Sequence, residues 1–202
     1  KWFFQKRYWL ESYKKAMRII SGKLKGKKIS YTNSSITRPL RDYVRENIFN
    51  IIAHSTNLDL NLYNLRVLDL YSGVGSFGIE CLSRGAKNVI FVEKDSLAFS
   101  ILEENVNDLK LNDRAVLISQ DIGRYIENFK EREKFDLIFL DPPYKDNSYL
   151  EIISLIKEKK ILNKNHKVII HREKSSEDDL GKILKIELLK NYGRSKIIFG
   201  YF

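Results

Sequence analysis

Five short apolar runs space out the chain between residues 67 and 170, with helical patterns lying between them. The runs are Val67-Leu68-Asp69-Leu70, Val89-Ile90-Phe91-Val92, Ala115-Val116-Leu117-Ile118, Leu137-Ile138-Phe139-Leu140 and Val168-Ile169-Ile170. Helical periodicity covers 76–84, 96–109, 122–130 and 147–159. Runs this short and this apolar suit strands buried on both faces. Strands that alternate with helices build βαβ units and a parallel sheet covered on both sides. The end of the chain breaks this pattern. Ile183–Leu189 and Lys196–Phe202 read as strands, and Asn191-Tyr192-Gly193-Arg194 lies between them. No crossover helix fits in that space, so this pair is predicted to be antiparallel.

Composition narrows the class. With 202 residues, 43% hydrophobic and 31% charged, the chain has room for one globular domain and a small appendage. No apolar run approaches the ~18 residues a membrane helix needs. The single cysteine, Cys81, allows no disulfide within the chain and points to a reducing, cytoplasmic setting. It reads as a core residue. His54, His166 and His171 form no zinc pattern, and no metal is expected. His171, at the end of the fifth run, reads as a surface histidine, with substrate contact as the alternative. The net charge of +10 points to a polyanionic partner, nucleic acid foremost.

The charge is uneven. Residues 1–16 hold five basic residues and one acid, +4, which leaves +6 for the rest. The only methionine is Met17, so 1–16 is read as an extension, flexible or foreign to the native chain. Residues 17–60 form an N-terminal unit. Two extended pieces flank Gly22–Gly26 and predict a basic hairpin. Val44, Ile48, Ile51 and Ile52 then recur at helical spacing over 42–54. Lys23, Lys25, Lys27, Lys28, Arg38, Arg41 and Arg45 make a basic block that suits phosphate contacts. Arg38 and Arg45 could instead order a loop over the site, with Glu46 as partner. Residues 61–202 carry the chemistry.

Asp69-Leu70-Tyr71-Ser72-Gly73-Val74-Gly75-Ser76-Phe77-Gly78 follows a predicted strand and opens a helix. Glycines there let the backbone turn tightly and approach a ligand. An aspartate at the strand end would repel a pyrophosphate and suits an amino-bearing ligand. Glu93 ends the next strand and can accept from both hydroxyls of a ribose. Asp121 ends the third, where it can accept from an adenine amino group while Ile122 offers its N–H, or cap the following helix. Asp141-Pro142-Pro143-Tyr144 closes the fourth. Successive prolines fix φ and remove two donors. Asp141 and the Pro142 carbonyl can hold the two protons of a planar –NH₂ group, with Tyr144 as a stacking face.

These pieces resemble class I S-adenosylmethionine-dependent methyltransferases that carry the DPPY signature of exocyclic-amine methylation. A longer set appears in order: Met17-Arg18-Ile19-Ile20-Ser21-Gly22, Arg38-Pro39, Val44-Arg45-Glu46-Asn47-Ile48-Phe49-Asn50, Gly78-Ile79-Glu80, Leu82-Ser83-Arg84-Gly85-Ala86 and the DPPY tetrad. Together they resemble the RsmD family of 16S rRNA guanine-N2 methyltransferases, from Met17 nearly to Phe202. Tyr71-Ser72 departs from the Phe-Ala-like pair common there. The resemblance implies a Rossmann-like, seven-stranded, mostly parallel doubly wound sheet ending in the antiparallel hairpin. It implies S-adenosylmethionine as cofactor, held by Asp69, Tyr71, Ser72, Gly73, Gly75, Gly78, Glu93, Lys94, Asp121 and Ile122. It implies catalysis at Asp141, Pro142, Pro143 and Tyr144, on 16S rRNA of the small ribosomal subunit, by a monomer.

Two other readings stay open. One is a DNA adenine-N6 or cytosine-N4 methyltransferase, which would share DPPY. About twenty residues, mostly helix, separate Tyr144 from the next strand, which leaves no spare target-recognition domain. The other is a non-catalytic RNA-binding assembly protein on the same fold. A nicotinamide-dependent oxidoreductase fits neither Asp69 nor the tetrad.

Overall fold

The computed structural model describes residues 14–32, 42–56, 58–130, 134–144, 146, 148–176 and 180–202. Nine strands and five α-helices lie within them. A two-stranded antiparallel hairpin, β1 (Lys14–Arg18) and β2 (Lys28–Thr32), comes first, then α1 (Asp42–His54). The rest alternates as the apolar runs predict: β3 (Arg66–Leu70), α2 (Ser76–Ser83), β4 (Asn88–Glu93), α3 (Ser96–Asp108), β5 (Ala115–Ser119), α4 (Ile122–Glu127), β6 (Phe135–Leu140), α5 (Tyr149–Lys159) and β7 (Leu162–Glu173). The hairpin β8 (Lys185–Tyr192) and β9 (Ser195–Tyr201) ends the chain.

The main sheet runs β5-β4-β3-β6-β7-β9-β8. Strands β5, β4, β3, β6 and β7 pair in parallel, and β9 pairs antiparallel with both β7 and β8. This is the seven-stranded, mostly parallel sheet implied by the resemblance. Strand order reverses beside β3, because β4 and β5 lie to one side and β6 to the other. In an open α/β sheet such a reversal leaves a crevice outside the strands' carboxyl ends. Asp69 and Asp141 sit on either side of it.

The side-chain period of two sorts the core into two layers. Val67, Phe91, Phe139 and Phe199 face a layer with α1, α2, α3 and the N-terminal hairpin. Leu68, Leu70, Ile138, Leu140 and Ile170 face a second layer with α4 and α5. Cys81 is fully buried in the first. In that layer the rings of Phe49, Phe77 and Phe139 stack in sequence, with centroids 5.1 and 3.9 Å apart.

The hairpin is seated by polar contacts as well. The buried Glu80 carboxylate accepts from the Ile20 and Ser21 amides at 2.8 and 3.0 Å and from Arg84 Nε at 2.8 Å. Ser83 Oγ accepts from the Leu24 amide at 3.0 Å. Gly22 approaches α2 so closely that a Cβ there would lie 2.0 Å from the Ser83 carbonyl oxygen. Asn105 of α3 accepts from the Ser30 amide at 2.7 Å and donates to the Ser30 and Val74 carbonyls at 3.0 and 3.1 Å.

Some boundaries differ from those read in the sequence. The division after residue 16 falls inside β1, because Lys14–Ala16 pair with Ser30–Thr32. Strand β7 is far longer than its apolar core of Val168–Ile170. Beyond that core, His171–Glu173 are held by pairing with β9, and Leu162 and Lys167 by pairing with β6, neither of which needs apolar side chains.

Candidate active site

The first half of the site lies at the ends of β3 and β4. Asp69 is buried, and its Oδ2 accepts from the Gly78 amide at 2.9 Å. Its Oδ1 is buried without a hydrogen-bond partner, as is Ser72 Oγ. Burial holds the Asp69 carboxyl well above the usual carboxylate range. The Gly78 N–H pulls against this, and the charges of Asp141 and Glu93 add to it. A carboxyl in that state gains most from a cationic partner.

Glu93 Oε2 accepts from the Gly73 amide and Oε1 from the Asp95 amide, both at 2.8 Å. The carboxylate thus braces the glycine loop and still has lone pairs for further donors. Gly73 adopts φ 53°, and nothing lies within 4 Å of where its Cβ would be. The loop therefore borders open space. Tyr71, just before it, has φ 58°, a strained conformation for a non-glycine residue. Its phenol is pushed upward, first by burial and then by the Asp146 charge.

The other residues named for the cofactor differ in position. Gly75 is the N-cap residue of α2, with no side-chain cap. Gly78 is buried in the first turn of α2 against the Phe91 ring and serves through its amide. Lys94 is exposed. Asp121 caps α4 by accepting from the Arg124 amide at 3.3 Å, and it is exposed beside the buried Ile122.

Orphaned oxygens at Asp69 and Ser72, an open-faced glycine loop and a strand-end glutamate fit an amino-acid-bearing nucleoside such as S-adenosylmethionine. The ammonium suits Asp69, and the ribose hydroxyls suit Glu93.

The second half lies at the ends of β6 and β7. Asp141 donates its amide to the Leu70 carbonyl at 3.4 Å, which ties the two halves across the strand-order reversal. The loop Pro142-Pro143-Tyr144 is fastened from beneath by Arg172. That buried guanidinium donates to the Pro143 and Tyr144 carbonyls at 3.1 and 3.2 Å and lies 4.3 Å from the centroid of the Tyr149 ring. Pro143 also accepts from the Asp146 amide at 2.8 Å. Among the described residues, the Pro142 carbonyl has no hydrogen-bond donor. Tyr144 is 42% exposed.

His171 is not the surface residue expected from the sequence. It is 5% exposed, because β9 covers the end of β7. Its Nδ1 lies 2.7 Å from Asp141 Oδ1, and its Nε2 lies 2.9 Å from Ser195 Oγ. Tyr144 meets the imidazole edge-on, with centroids 5.9 Å apart. His171, Arg172 and Ser195 were not among the site residues named from the sequence. For His171 and Arg172 a usable signal was there, polar residues directly after an apolar run near the carboxyl end of a strand; Ser195, the first residue of β9, carries no such signal.

In the basic block, Lys23, Lys25, Lys27 and Lys28 are exposed around the hairpin turn. Arg38 and Arg41 lie outside the described residues. Arg45 has to be removed from the phosphate-contacting set. It is 1% exposed, and its guanidinium donates to the Arg18 carbonyl at 2.6 Å and to Asp42 at 3.0 Å. Asp42, not Glu46, is the partner found. Burial lowers the Arg45 pKa, with the Asp42 and Glu80 charges opposing. Among the described residues no cluster of His, Cys, Asp and Glu could hold a metal, and no helix is long and apolar enough to cross a membrane.

Known proteins resemble this chain in sequence and in fold. YlbH from Bacillus subtilis is 35% identical over 80% of this chain and 85% of its own length. Ribosomal RNA small subunit methyltransferase D from Haemophilus influenzae is 34% identical over 78% of this chain and 79% of its own. The solved structure of yhhF from Escherichia coli matches with a TM-score of 0.77 at 23% identity, covering 92% of this chain and 97% of that one. The family model described as Conserved hypothetical protein 95 matches residues 17–201. The chain belongs to this family, the RsmD family of methyltransferases.

Proposed function

We propose that the protein methylates the exocyclic N2 of a guanine in 16S rRNA, using S-adenosylmethionine. One observation carries this reading. Among the described residues, Asp141 Oδ2 and the Pro142 carbonyl accept no hydrogen bond, in a loop whose Pro143 and Tyr144 carbonyls are held by Arg172. Two acceptors beside an exposed tyrosine match a flat base with an –NH₂ group. The rRNA substrate is supported by the Haemophilus influenzae relative, a ribosomal RNA small subunit methyltransferase.

Bound S-adenosylmethionine supplies an electrophilic methyl group on a sulfonium. Asp69 and Glu93 hold its amino-acid and ribose ends, and Asp121 with Ile122 borders its base. The guanine amine is a weak nucleophile because its lone pair is delocalised into the ring. Hydrogen bonds to Asp141 and the Pro142 carbonyl fix its direction and enrich it in electrons. Most of the acceleration comes from that positioning. Tyr144 stacks on the base, which must leave its RNA stack to arrive there. Lys23, Lys25, Lys27 and Lys28 contact phosphates. Helix α5 fills most of the interval between Tyr144 and β7, which favours RNA over a DNA reading that needs a recognition domain there.

The test uses the full chain, labelled S-adenosylmethionine and bacterial small-subunit particles lacking this methylation, with the product nucleoside identified after digestion. N2-methylguanosine in 16S rRNA is expected. Asp141→Ala should abolish it while binding S-adenosylhomocysteine normally. Label in DNA adenine or cytosine, or cofactor binding with no label in any nucleic acid, overturns the substrate assignment.

A further inference from the structure

We propose that His171 is a positioning residue for Asp141, held in one tautomer by Ser195. The proposal rests on the reading that Asp141 receives the substrate amine.

An aspartate at a loop apex can rotate about its last torsion, and its two oxygens are then equivalent. Here they are not. Oδ1 is 2.7 Å from His171 Nδ1, while Oδ2 has no protein partner among the described residues. An ionised carboxylate only accepts, so the proton between them belongs to Nδ1. On a neutral ring Nε2 is then the acceptor, and the Ser195 hydroxyl, 2.9 Å away, donates to it. The chain Ser195–His171–Asp141 therefore has one direction, and it ends on Oδ1. It leaves Oδ2 as the oxygen presented to the amine.

Burial gives the arrangement its stiffness. His171 and Ser195 are each 5% exposed, so water competes little for either ring nitrogen. They sit on adjacent antiparallel strands, Ser195 opposite Glu173 and His171 opposite Ile197. Residues two apart along a strand share a face, which brings the two side chains together diagonally. The Tyr144 ring lies against the same imidazole. One buried side chain thus borders both the hydrogen-bonding and the stacking groups of the site.

The chain has three histidines, which makes the test tractable. His166 supplies an internal standard. Its Nδ1 faces the Asn163 carbonyl at 2.7 Å, and its Nε2 accepts from the Phe202 amide at 3.0 Å, so it too is the Nδ1–H tautomer. His54 is exposed. Nitrogen-15 NMR of histidine-labelled full chain should show two Nδ1–H imidazoles. Asp141→Asn should move only the His171 signals, and Ser195→Ala should release its tautomer. An Nε2–H form of His171, or signals indifferent to Asp141, overturns the proposal whatever the substrate proves to be.

The kinetic arm uses two variants of similar polarity. Asn places its amide near the position of Nδ1, and Gln places its amide near Nε2. With the small-subunit particle as substrate, His171→Gln should lower kcat by about 10- to 100-fold, with little change in KM or in S-adenosylhomocysteine affinity. His171→Asn should recover to within about fivefold of the parent. Equal losses in both variants, or none in either, would overturn the positioning role. An unmodified parent inactive on the particle, together with the expected NMR, would defeat the functional reading and leave the Asp141–His171 pairing standing.

Discussion

The two halves of the carboxyl edge are built differently. On the proposed cofactor side, the contacts stay within one βαβ unit and end on backbone amides. Glu93 reaches Asp95 and Gly73, and Asp69 reaches Gly78. On the proposed substrate side, they join side chains and loop carbonyls across some thirty positions of sequence, Asp141 to His171 and Arg172 to Pro143. A glycine loop braced by carboxylates holds its shape before any ligand arrives. A proline loop needs the next two strands of the sheet to hold it. The first half can be assembled by one βαβ unit. The second requires the terminal hairpin to be in place.

If that contrast is right, substitutions on the two sides should fail in different ways. Glu93→Ala removes the loop brace and the ribose acceptors together. Its cofactor affinity should fall by about 100-fold, the loss of two charge-assisted hydrogen bonds, as titration calorimetry with S-adenosylhomocysteine would record. Arg172→Met should do the reverse. It frees two loop carbonyls, so kcat should drop by about 30-fold in single-turnover methyl transfer while cofactor affinity holds.

Asp69→Asn would sharpen the comparison further. Cofactor affinity should fall by about tenfold, because the ammonium loses its charge partner. Yet the cofactor-free protein should become more stable by about 1–2 kcal/mol at neutral pH, since a buried carboxylate with an orphaned oxygen is gone. The sign with pH follows from the raised Asp69 pKa. Stability from that carboxyl is fully present below the ordinary aspartate value and is lost as pH rises through the folded one. The advantage of the asparagine should therefore shrink on acidification, which melting curves across pH would show. The smallest effect belongs to the hairpin lysines. Each of Lys23, Lys25, Lys27 and Lys28 changed to Ala should weaken RNA binding about two- to threefold. Each should also flatten the salt dependence by about one unit of slope.

The same contrast explains what could be read from sequence. The apolar runs and glycine loop are local patterns, and the fold they predict is the one found. Asp69, Glu93 and Asp141 stand out in the sequence because each falls within, or directly follows, a buried run, whereas Asp121 lies two residues past β5, an edge strand that is only partly buried. His171 and Arg172 also follow such a run, but their roles depend on β9 lying beside β7 and on the proline loop folding back over both. No spacing in the chain encodes that adjacency. Arg45 failed for a related reason. In sequence it belongs to a run of cations, while in the fold it sits on the inward face of α1 with Val44, Ile48 and Phe49. Charge counting cannot tell a solvated arginine from one that fastens two pieces of backbone.

The seating of the N-terminal hairpin bears on how such an enzyme could be re-targeted. Its apolar residues Met17, Ile19 and Ile29 belong to the same core as Phe77 and Phe139, and its amides end on Glu80 and Asn105. The arm proposed to face RNA is therefore not portable. Grafted onto another methyltransferase sheet, it would carry a greasy underside and unmet backbone donors. Glu80, Ser83 and Asn105 would have to travel with it. Because Asn105 also holds the Val74 carbonyl of the glycine loop, a swapped arm would bring a change in cofactor handling along with its new target.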